Sequence, residues 1–202
     1  MSTPRIAVII GTTRPTRFGD KPAAWIKDKI EADGRMSVDI LDLAEYDLPF
    51  FDEMASNKWM PSKDPKALKW QEDLAKYDGY VFIVAEYNHS ISGALKNALD
   101  QAFVEWGKKP AAVVGYGGTG AARAVEHLRG IAVELRMVNV ASAVHIGGGE
   151  FMKVHPLGGN ADAKVSDIDD VLAPSAKALI DELYWWADLL KGARAADQAK
   201  AA

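Results

Sequence analysis

Residues 80–90 read Tyr80-Val81-Phe82-Ile83-Val84-Ala85-Glu86-Tyr87-Asn88-His89-Ser90, and a helical pattern follows over residues 93–100. The first five residues are apolar or aromatic, which is typical of a short strand buried on both faces of a sheet. Polar and aromatic side chains follow at once. In open α/β folds, ligands bind beyond the carboxyl ends of the strands. This stretch therefore predicts a buried strand that leads directly into a binding loop.

Similar apolar runs alternate with helical patterns along the rest of the chain. This alternation predicts a parallel sheet with helices on both faces. Five strands favour the doubly wound α/β arrangement with strand order 2-1-3-4-5 over a six-stranded Rossmann domain or an eight-stranded barrel. The predicted strands cover residues 5–10, 37–43, 80–84, 111–116 and 138–143, and helices are predicted to begin near Asp20, Asp64, Gly93, Gly120 and Asp170.

The length of 202 residues predicts a single domain over residues 1–192. The last helix is expected to span residues 170–191, and the Ala-rich tail, residues 193–202, is expected to fray. Apolar spacing also predicts which positions of the second strand, and of the helix after Asp64, face the core. These positions are Val38, Ile40, Leu41, Leu68, Gln71 and Leu74.

The composition excludes several classes of function. The chain has no cysteine, which excludes disulfides, thiolate nucleophiles and thiolate metal sites, so redox chemistry requires a bound cofactor. The net charge of -4 gives no general attraction for nucleic acid or anionic lipid. We expect no metal site, because the four histidines lack the spacing of metal ligands. Neither a long apolar run nor a signal peptide is evident, so we expect a cytoplasmic protein.

The first candidate loop follows the first strand and reads Gly11-Thr12-Thr13-Arg14-Pro15-Thr16-Arg17. Open backbone N–H groups and the start of the next helix favour an anion, and guanidinium groups match phosphate oxygens. The glycine–lysine–hydroxyl ending of a P-loop is absent. The loop is therefore interpreted as a phosphate site, and the alternative is an ordinary polar turn with two solvated arginines.

The second and third candidate loops follow the third and fourth strands. In the second, Tyr87, Asn88 and the backbone could contact the edge of a flat ring, whereas Glu86 could instead cap a helix and His89 could lie at the surface or in a subunit contact. The third, residues 115–120, formally matches G-x-G-x-x-G but is in the wrong βαβ unit for a dinucleotide. It is interpreted as backbone that a ring can approach closely, the alternative being a plain glycine turn.

All three loops meet at the point where the strand order 2-1-3-4-5 reverses, which is the FMN position of flavodoxin-like folds. Three motifs then resemble the NAD(P)H-dependent FMN reductase family, which includes quinone, azo-dye and chromate reductases. They are Gly11-Thr12-Thr13-Arg14-Pro15-x-Arg17, Glu86-Tyr87-Asn88-x-Ser90-x-x-Gly93-x-Leu95-Lys96-Asn97-Ala98-x-Asp100, and Gly117-Gly118-x-Gly120-x-x-Arg123-Ala124-x-Glu126-x-Leu128-Arg129.

The resemblance implies a flavodoxin-like fold and site roles for particular residues. Thr12, Arg14 and Arg17 would hold the FMN phosphate, within a loop that also includes Gly11 and Thr16. The isoalloxazine would be lined by Glu86, Tyr87, Asn88 and Ser90, and supported on its far side by Gly117, Gly118 and Gly120. The chain departs from the family pattern at Ala85 and Ser92, where proline is common.

The activity that this resemblance implies is hydride transfer from NADPH or NADH through bound FMN to a quinone, free flavin, azo compound or metal oxyanion. The flavin supplies the chemistry, so no catalytic side chain is expected. The alternatives are a flavodoxin-type electron carrier and a non-enzymatic flavin sensor.

The resemblance also implies a homodimer or homotetramer. One candidate contact is the stripe of Leu95, Leu99, Phe103 and Trp106, which could equally be core. The aromatic loop over residues 44–62 carries Phe50, Phe51, Met54 and Trp59 and either borders an acceptor pocket or packs against the protein.

Overall fold

The computed structural model describes residues 3–201 and contains one five-stranded sheet. All neighbouring strands are parallel, and their order is β2-β1-β3-β4-β5. The predicted flavodoxin-like, doubly wound α/β fold is therefore confirmed. The strands are β1 (Arg5–Ile10), β2 (Ser37–Asp42), β3 (Gly79–Ala85), β4 (Pro110–Tyr116) and β5 (Val138–Ile146).

Helices cover both faces of this sheet. One face packs against α1 and α7, and the other packs against α3, α4 and α5. Strands β3 and β4 are buried along their whole length, because their apolar side chains pack against the helices on both faces of the sheet. The helices are α1 (Asp20–Asp33), α2 (Leu43–Tyr46), α3 (Pro65–Ala75), α4 (Gly93–Asp100), α5 (Ala122–Glu134), α6 (Gly148–Val154) and α7 (Asp169–Ala201), with 3₁₀ turns at Pro156–Gly158 and Val165–Ile168.

Some of the predicted core positions are wrong. Ile40 is 37% exposed because β2 is an edge strand, where Val38 and Leu41 supply the buried side chains. Leu68 is 39% exposed, because the buried face of α3 is centred on Trp70, which is fully buried. The third and fifth strands also extend beyond their predicted ends, to Ala85 and Ile146.

The stripe considered as a subunit contact belongs to the core. Leu95, Leu99 and Trp106 are buried, and the Trp106 ring packs edge-on against Tyr80 with their centroids 4.8 Å apart. Phe103 lies partly buried at the margin of the same cluster. Leu95, Leu99 and Trp106 therefore stabilise the fold from within and are not available to a second subunit.

Residues 193–201, part of the tail that is expected to fray, are helical in the structure. Helix α7 continues to Ala201, and Arg194 Nη2 donates to Asp78 Oδ1 at 2.6 Å. Lys108 Nζ donates to Asp197 Oδ2 at 2.5 Å, which ties the last turns to the loop before β4. Over residues 3–201, no helix is both long and apolar enough to cross a membrane.

Candidate functional site

A cavity of about 660 Å³ lies beyond the carboxyl ends of β1, β3 and β4. Each of the three candidate loops contributes to its wall, as expected for neighbouring strand ends in this order. A fourth wall comes from α6 and the turn that follows it. The lining residues are Arg14, Thr16, Arg17, Ala85, Glu86, Tyr87, Tyr116, Gly117, Phe151, His155, Pro156 and Leu157.

Gly11 and Thr12 shape the first loop from behind the cavity wall. A Cβ at Gly11 would lie 2.7 Å from the Ile83 carbonyl oxygen, so only glycine allows this approach of β1 to β3. Ser92 donates through Oγ to the Gly11 carbonyl and accepts from Leu95 N at 3.0 Å. Thr12 is buried, and its Oγ1 lies 3.3 Å from the Tyr116 hydroxyl.

All three nitrogens of the Arg17 guanidinium group donate hydrogen bonds within the protein. Its Nη1 donates to the Thr12 carbonyl at 2.9 Å and to Asp42 Oδ1 at 2.7 Å, while Nη2 pairs with the second Asp42 oxygen. Its Nε donates to Asp20 Oδ1 at 2.9 Å. The hydrogen bond to Asp42 raises the pKa of Arg17 above its usual value. Arg17 therefore holds the loop in place, and two carboxylates balance its charge.

Arg14 has a different environment, although it lies only three residues away. Its side chain is exposed at the cavity, and its guanidinium carbon lies 5.2 Å from the centroid of the Tyr87 ring. Arg14 forms no ion pair with any residue in 3–201. The positive charge of Arg14 is thus available to an anion in the cavity.

The second loop forms a tight turn at Tyr87–Ser90. Tyr87 N donates to the Ser90 carbonyl at 2.8 Å, and Ser90 N donates back to the Tyr87 carbonyl at 3.0 Å. Asn88 and His89 both have positive φ, 51° and 68°, which is the conformation of a type I′ turn. Ser90 Oγ lies 2.6 Å from His127 Nδ1. The turn brings Tyr87 to the cavity wall, but Asn88 and Ser90 are not among the lining residues.

Glu86 both lines the cavity and caps a helix. Its side chain is 8% exposed and accepts from Arg123 N at 3.2 Å and from Arg123 Nε at 2.6 Å. Burial acts to raise the pKa of Glu86, but the hydrogen bonds and charge of Arg123 outweigh it, so the pKa is lowered. The capped helix is α5, whose own N-cap residue, Ala121, has no capping side chain. Arg123 also contacts His89, with Nη1 and Nε2 2.8 Å apart.

The glycines of the third loop have different structural roles. Gly117 lines the cavity with φ at 141°, a backbone conformation that side chains disfavour. A Cβ at Gly120 would lie 2.9 Å from His145 Cβ, so this glycine allows the loop to pack against β5. Gly118 accepts a hydrogen bond from Gly148 N at 3.0 Å, which anchors the start of α6. Gly118 and Gly120 therefore support the site from outside its lining.

The fourth wall was not predicted from the sequence, which was interpreted there only as a glycine-rich loop. The Phe151 ring packs on His155, with centroids 4.5 Å apart, and edge-on against buried Phe18 at 5.6 Å. It also stacks with Tyr116 at 6.4 Å. Burial raises the pKa of Tyr116 to about 12, which keeps its hydroxyl protonated. The i, i+4 spacing of Phe151 and His155 between Gly149 and Pro156 is the signal that could have identified this helix.

The aromatic loop over residues 44–62 lies beside a second cavity of about 430 Å³, whose lining includes Thr13, Phe50 and Asn97. Asn97 anchors the loop, because its Nδ2 donates to the Pro49 carbonyl at 2.8 Å and its Oδ1 accepts from Phe51 N at 3.0 Å. Most of the apolar side chains of the loop nevertheless point outward. The exposed fractions are 85% for Phe50, 36% for Phe51, 89% for Met54 and 73% for Trp59.

Comparison with known proteins agrees with this geometry. A NAD(P)H-dependent FMN reductase from Nectria sp is 32% identical over 126 residues, which cover 59% of this chain and 63% of that protein. A 2-hydroxy-1,4-benzoquinone reductase from Burkholderia sp is 33% identical over 141 residues, covering 66% and 73%. The structure of FerB, a flavoenzyme NAD(P)H:(acceptor) oxidoreductase from Paracoccus denitrificans, aligns with a TM-score of 0.69 and 25% identity, covering 92% of this chain and 97% of that one.

A model of one protein family also matches this chain. The model described as NADPH-dependent FMN reductase matches residues 4–150, a span that contains all three candidate loops and the strands that carry them. Because this match covers most of the chain, the protein belongs to the NADPH-dependent FMN reductase family.

Proposed function

We propose that the 660 Å³ cavity binds FMN, and that the protein uses this FMN to pass electrons from NADPH or NADH to a small-molecule acceptor. The observation that carries the proposal is the meeting of an available guanidinium, a tyrosine and an open glycine backbone at the carboxyl edge of β1, β3 and β4. Membership of the family supports the same activity. The comparisons give no support to a flavodoxin-type carrier or a sensor.

The residues present suit the two ends of FMN. Arg14 and the Thr16 hydroxyl would hold the phosphate, because a forked cation and a hydroxyl match its oxygens. Tyr87 and Gly117 would hold the isoalloxazine. The Tyr87 hydroxyl is buried and has no hydrogen-bond partner in residues 3–201, which supports a polar ligand beside it.

The protein contributes position and shelter to the reaction, while bound FMN supplies the ring that accepts and donates hydride. Glu86 fixes the loop that carries Tyr87 by bonding to the first turn of α5. Phe151 is partly buried and lines the cavity from the side of α6, where it would shield the ring from water. No side chain is assigned as a general acid or base.

The Tyr87→Phe variant tests the buried hydroxyl. Phenylalanine keeps the ring under Arg14 but removes the unpaired polar atom. We expect the flavin-free variant to gain about 1 kcal/mol in free energy of unfolding, because an unsatisfied buried hydroxyl destabilises by about that amount. Its FMN affinity should fall about fivefold, as measured by quenching of flavin fluorescence. Unchanged affinity would show that the hydroxyl does not contact FMN.

The acceptor that we propose is a quinone or a related small oxidised compound. The 2-hydroxy-1,4-benzoquinone reductase from Burkholderia supports this choice. We further propose that the protein acts in the cytoplasm, where both nicotinamide nucleotides are available.

The direct test of the proposed function combines a visible spectrum with a turnover assay. The purified protein should be yellow or become yellow with FMN, and it should oxidise NADPH or NADH steadily when benzoquinone is present. A Tyr87→Phe protein provides the matched comparison. Failure to bind FMN would refute the proposal, and FMN binding without nicotinamide oxidation would favour a carrier or sensor.

We also propose that the protein is a homodimer or homotetramer. The exposed side chains of Phe50, Met54 and Trp59 support this assembly, because large exposed apolar patches mark interaction sites. The Met54→Ser/Trp59→Ser variant should shift the mass measured by light scattering toward the monomer. Trp185→Ser is the control, since Trp185 is 57% exposed on α7, outside this loop. An equal mass for the double variant and the wild type would contradict this assignment of the interface.

A further inference from the structure

His155 occupies a defined position in the fourth wall of the cavity. It precedes the 3₁₀ turn Pro156–Gly158, and its ring packs between Phe151 and Phe18, with centroid distances of 4.5 and 5.2 Å. Ring contacts on two sides restrict its orientation. His155 therefore belongs to the rigid part of the lining rather than to a free surface.

The hydrogen bonds of the His155 ring determine its tautomer. Leu157 N donates to His155 Nδ1 at 3.1 Å, so Nδ1 is an acceptor and the neutral ring carries its proton on Nε2. Nε2 has no hydrogen-bond partner among residues 3–201. The ring therefore presents one N–H donor that the protein itself does not use.

The charges around His155 favour this neutral form. Burial and the positive charges of Arg14 and Lys21 lower the pKa of His155 below its usual value. Lys21 is itself held by the carbonyl oxygens of Ala161 and Ala163 at 2.7 and 2.6 Å. Arg14 and His155 both line the cavity, so a positive charge and a neutral N–H donor lie at the same end of it.

We propose that His155 is a further phosphate ligand of this site and donates Nε2–H, as a neutral ring, to the phosphate of FMN beside Arg14. This inference rests on the proposed function, because it assigns the anion to FMN. It explains why an aromatic wall built by α6 carries an imidazole with a fixed tautomer. A second cation is not required there, since Arg14 already supplies the charge.

The test compares two substitutions with two flavins. His155→Phe keeps the ring packing but removes both the Nε2–H donor and the Nδ1 acceptor of Leu157 N. We expect FMN affinity to fall about tenfold while riboflavin, which lacks the phosphate, binds as it does to the wild type. His155→Gln restores an N–H donor near the Nε2 position and should recover most of the FMN affinity. Lys153→Gln, which removes an exposed positive charge from α6, should change neither affinity.

Nitrogen NMR of the histidine ring gives a readout independent of activity. The spectrum should show the neutral Nε2–H tautomer of His155 at pH 7, both with and without FMN. The inference is overturned if His155→Phe leaves FMN affinity unchanged, if it weakens FMN and riboflavin equally, or if the ring becomes an imidazolium in the complex. A wild-type protein that binds neither flavin would instead refute the proposed function itself.

Discussion

Replacing Arg17 with glutamine is expected to lower the free energy of unfolding of the flavin-free protein by about 3 kcal/mol. The arginine side chain is only 12% exposed, and its partner Asp42 is 17% exposed. Removal of the guanidinium leaves the Asp42 carboxylate without its cation and the Thr12 carbonyl without a donor. Breaking such a pair costs more than the pair contributes, because the remaining charge stays desolvated. Urea denaturation of the flavin-free protein measures the change without the added stabilisation from ligand binding.

Two comparisons make this result specific. Arg14→Gln removes the same group three residues earlier in the same loop, and it should cost less than about 1 kcal/mol, because Arg14 contributes only its contact with the Tyr87 ring. The double variant Arg17→Gln/Asp42→Asn should recover part of the loss, since it removes both charges together. A loss below about 1 kcal/mol for Arg17→Gln would mean that the pair behaves like an exposed salt bridge.

The same Arg14→Gln variant should have the larger effect on cofactor binding. We expect FMN affinity to fall by about 1.5–3 kcal/mol, roughly 10- to 150-fold, which is the range for losing a hydrogen bond to a charged group. Riboflavin affinity should stay unchanged, because riboflavin has no phosphate for Arg14 to bind. Fluorescence titration of the flavin-free protein with each flavin measures both values. The difference in FMN affinity between the wild type and Arg14→Gln should shrink at high salt, because Arg14 is exposed and its charge is screened.

The control for Arg14→Gln is Arg5→Gln, which removes one positive charge from the opposite end of β1. It should leave FMN affinity unchanged, which separates a local contact from the general potential of the protein. If Arg14→Gln weakens FMN and riboflavin equally, the arginine acts on the ring rather than on the phosphate. If neither affinity changes, Arg14 is not part of the site.

The sequence predicts the strands, their order and the meeting of the three loops, because each of these depends on local apolar patterning and short connections. It does not separate Arg14 from Arg17. Their difference depends on Asp42, which the parallel pairing of β1 with β2 places opposite Ile10 in the sheet. That pairing is a long-range contact, and two arginines three residues apart look equivalent without it.

The loop geometry shows a second limit of prediction from sequence. Asn88 and Ser90 are predicted beside the ring because they share a motif with Tyr87. The motif does not predict that the positive φ of Asn88 and His89 forms a tight turn, in which Ser90 pairs with Tyr87 through two backbone hydrogen bonds. Asparagine tolerates this conformation, whereas histidine gives little local signal for it. The fourth wall was missed for a related reason, since its position depends on ring contacts with Phe18 and Tyr116 rather than on its own seven residues.

The attachment of α6 suggests how relatives of this protein could diversify. Three walls of the cavity are continuous with buried strands, so substitutions there disturb the whole sheet. Helix α6 is instead a short helix after β5, joined to the glycine loop through the hydrogen bond from Gly148 N to the Gly118 carbonyl. Evolution can exchange Leu157 and its exposed neighbours at little cost to folding. New acceptor preferences could then arise on this wall while Arg14 and Tyr87 stay unchanged.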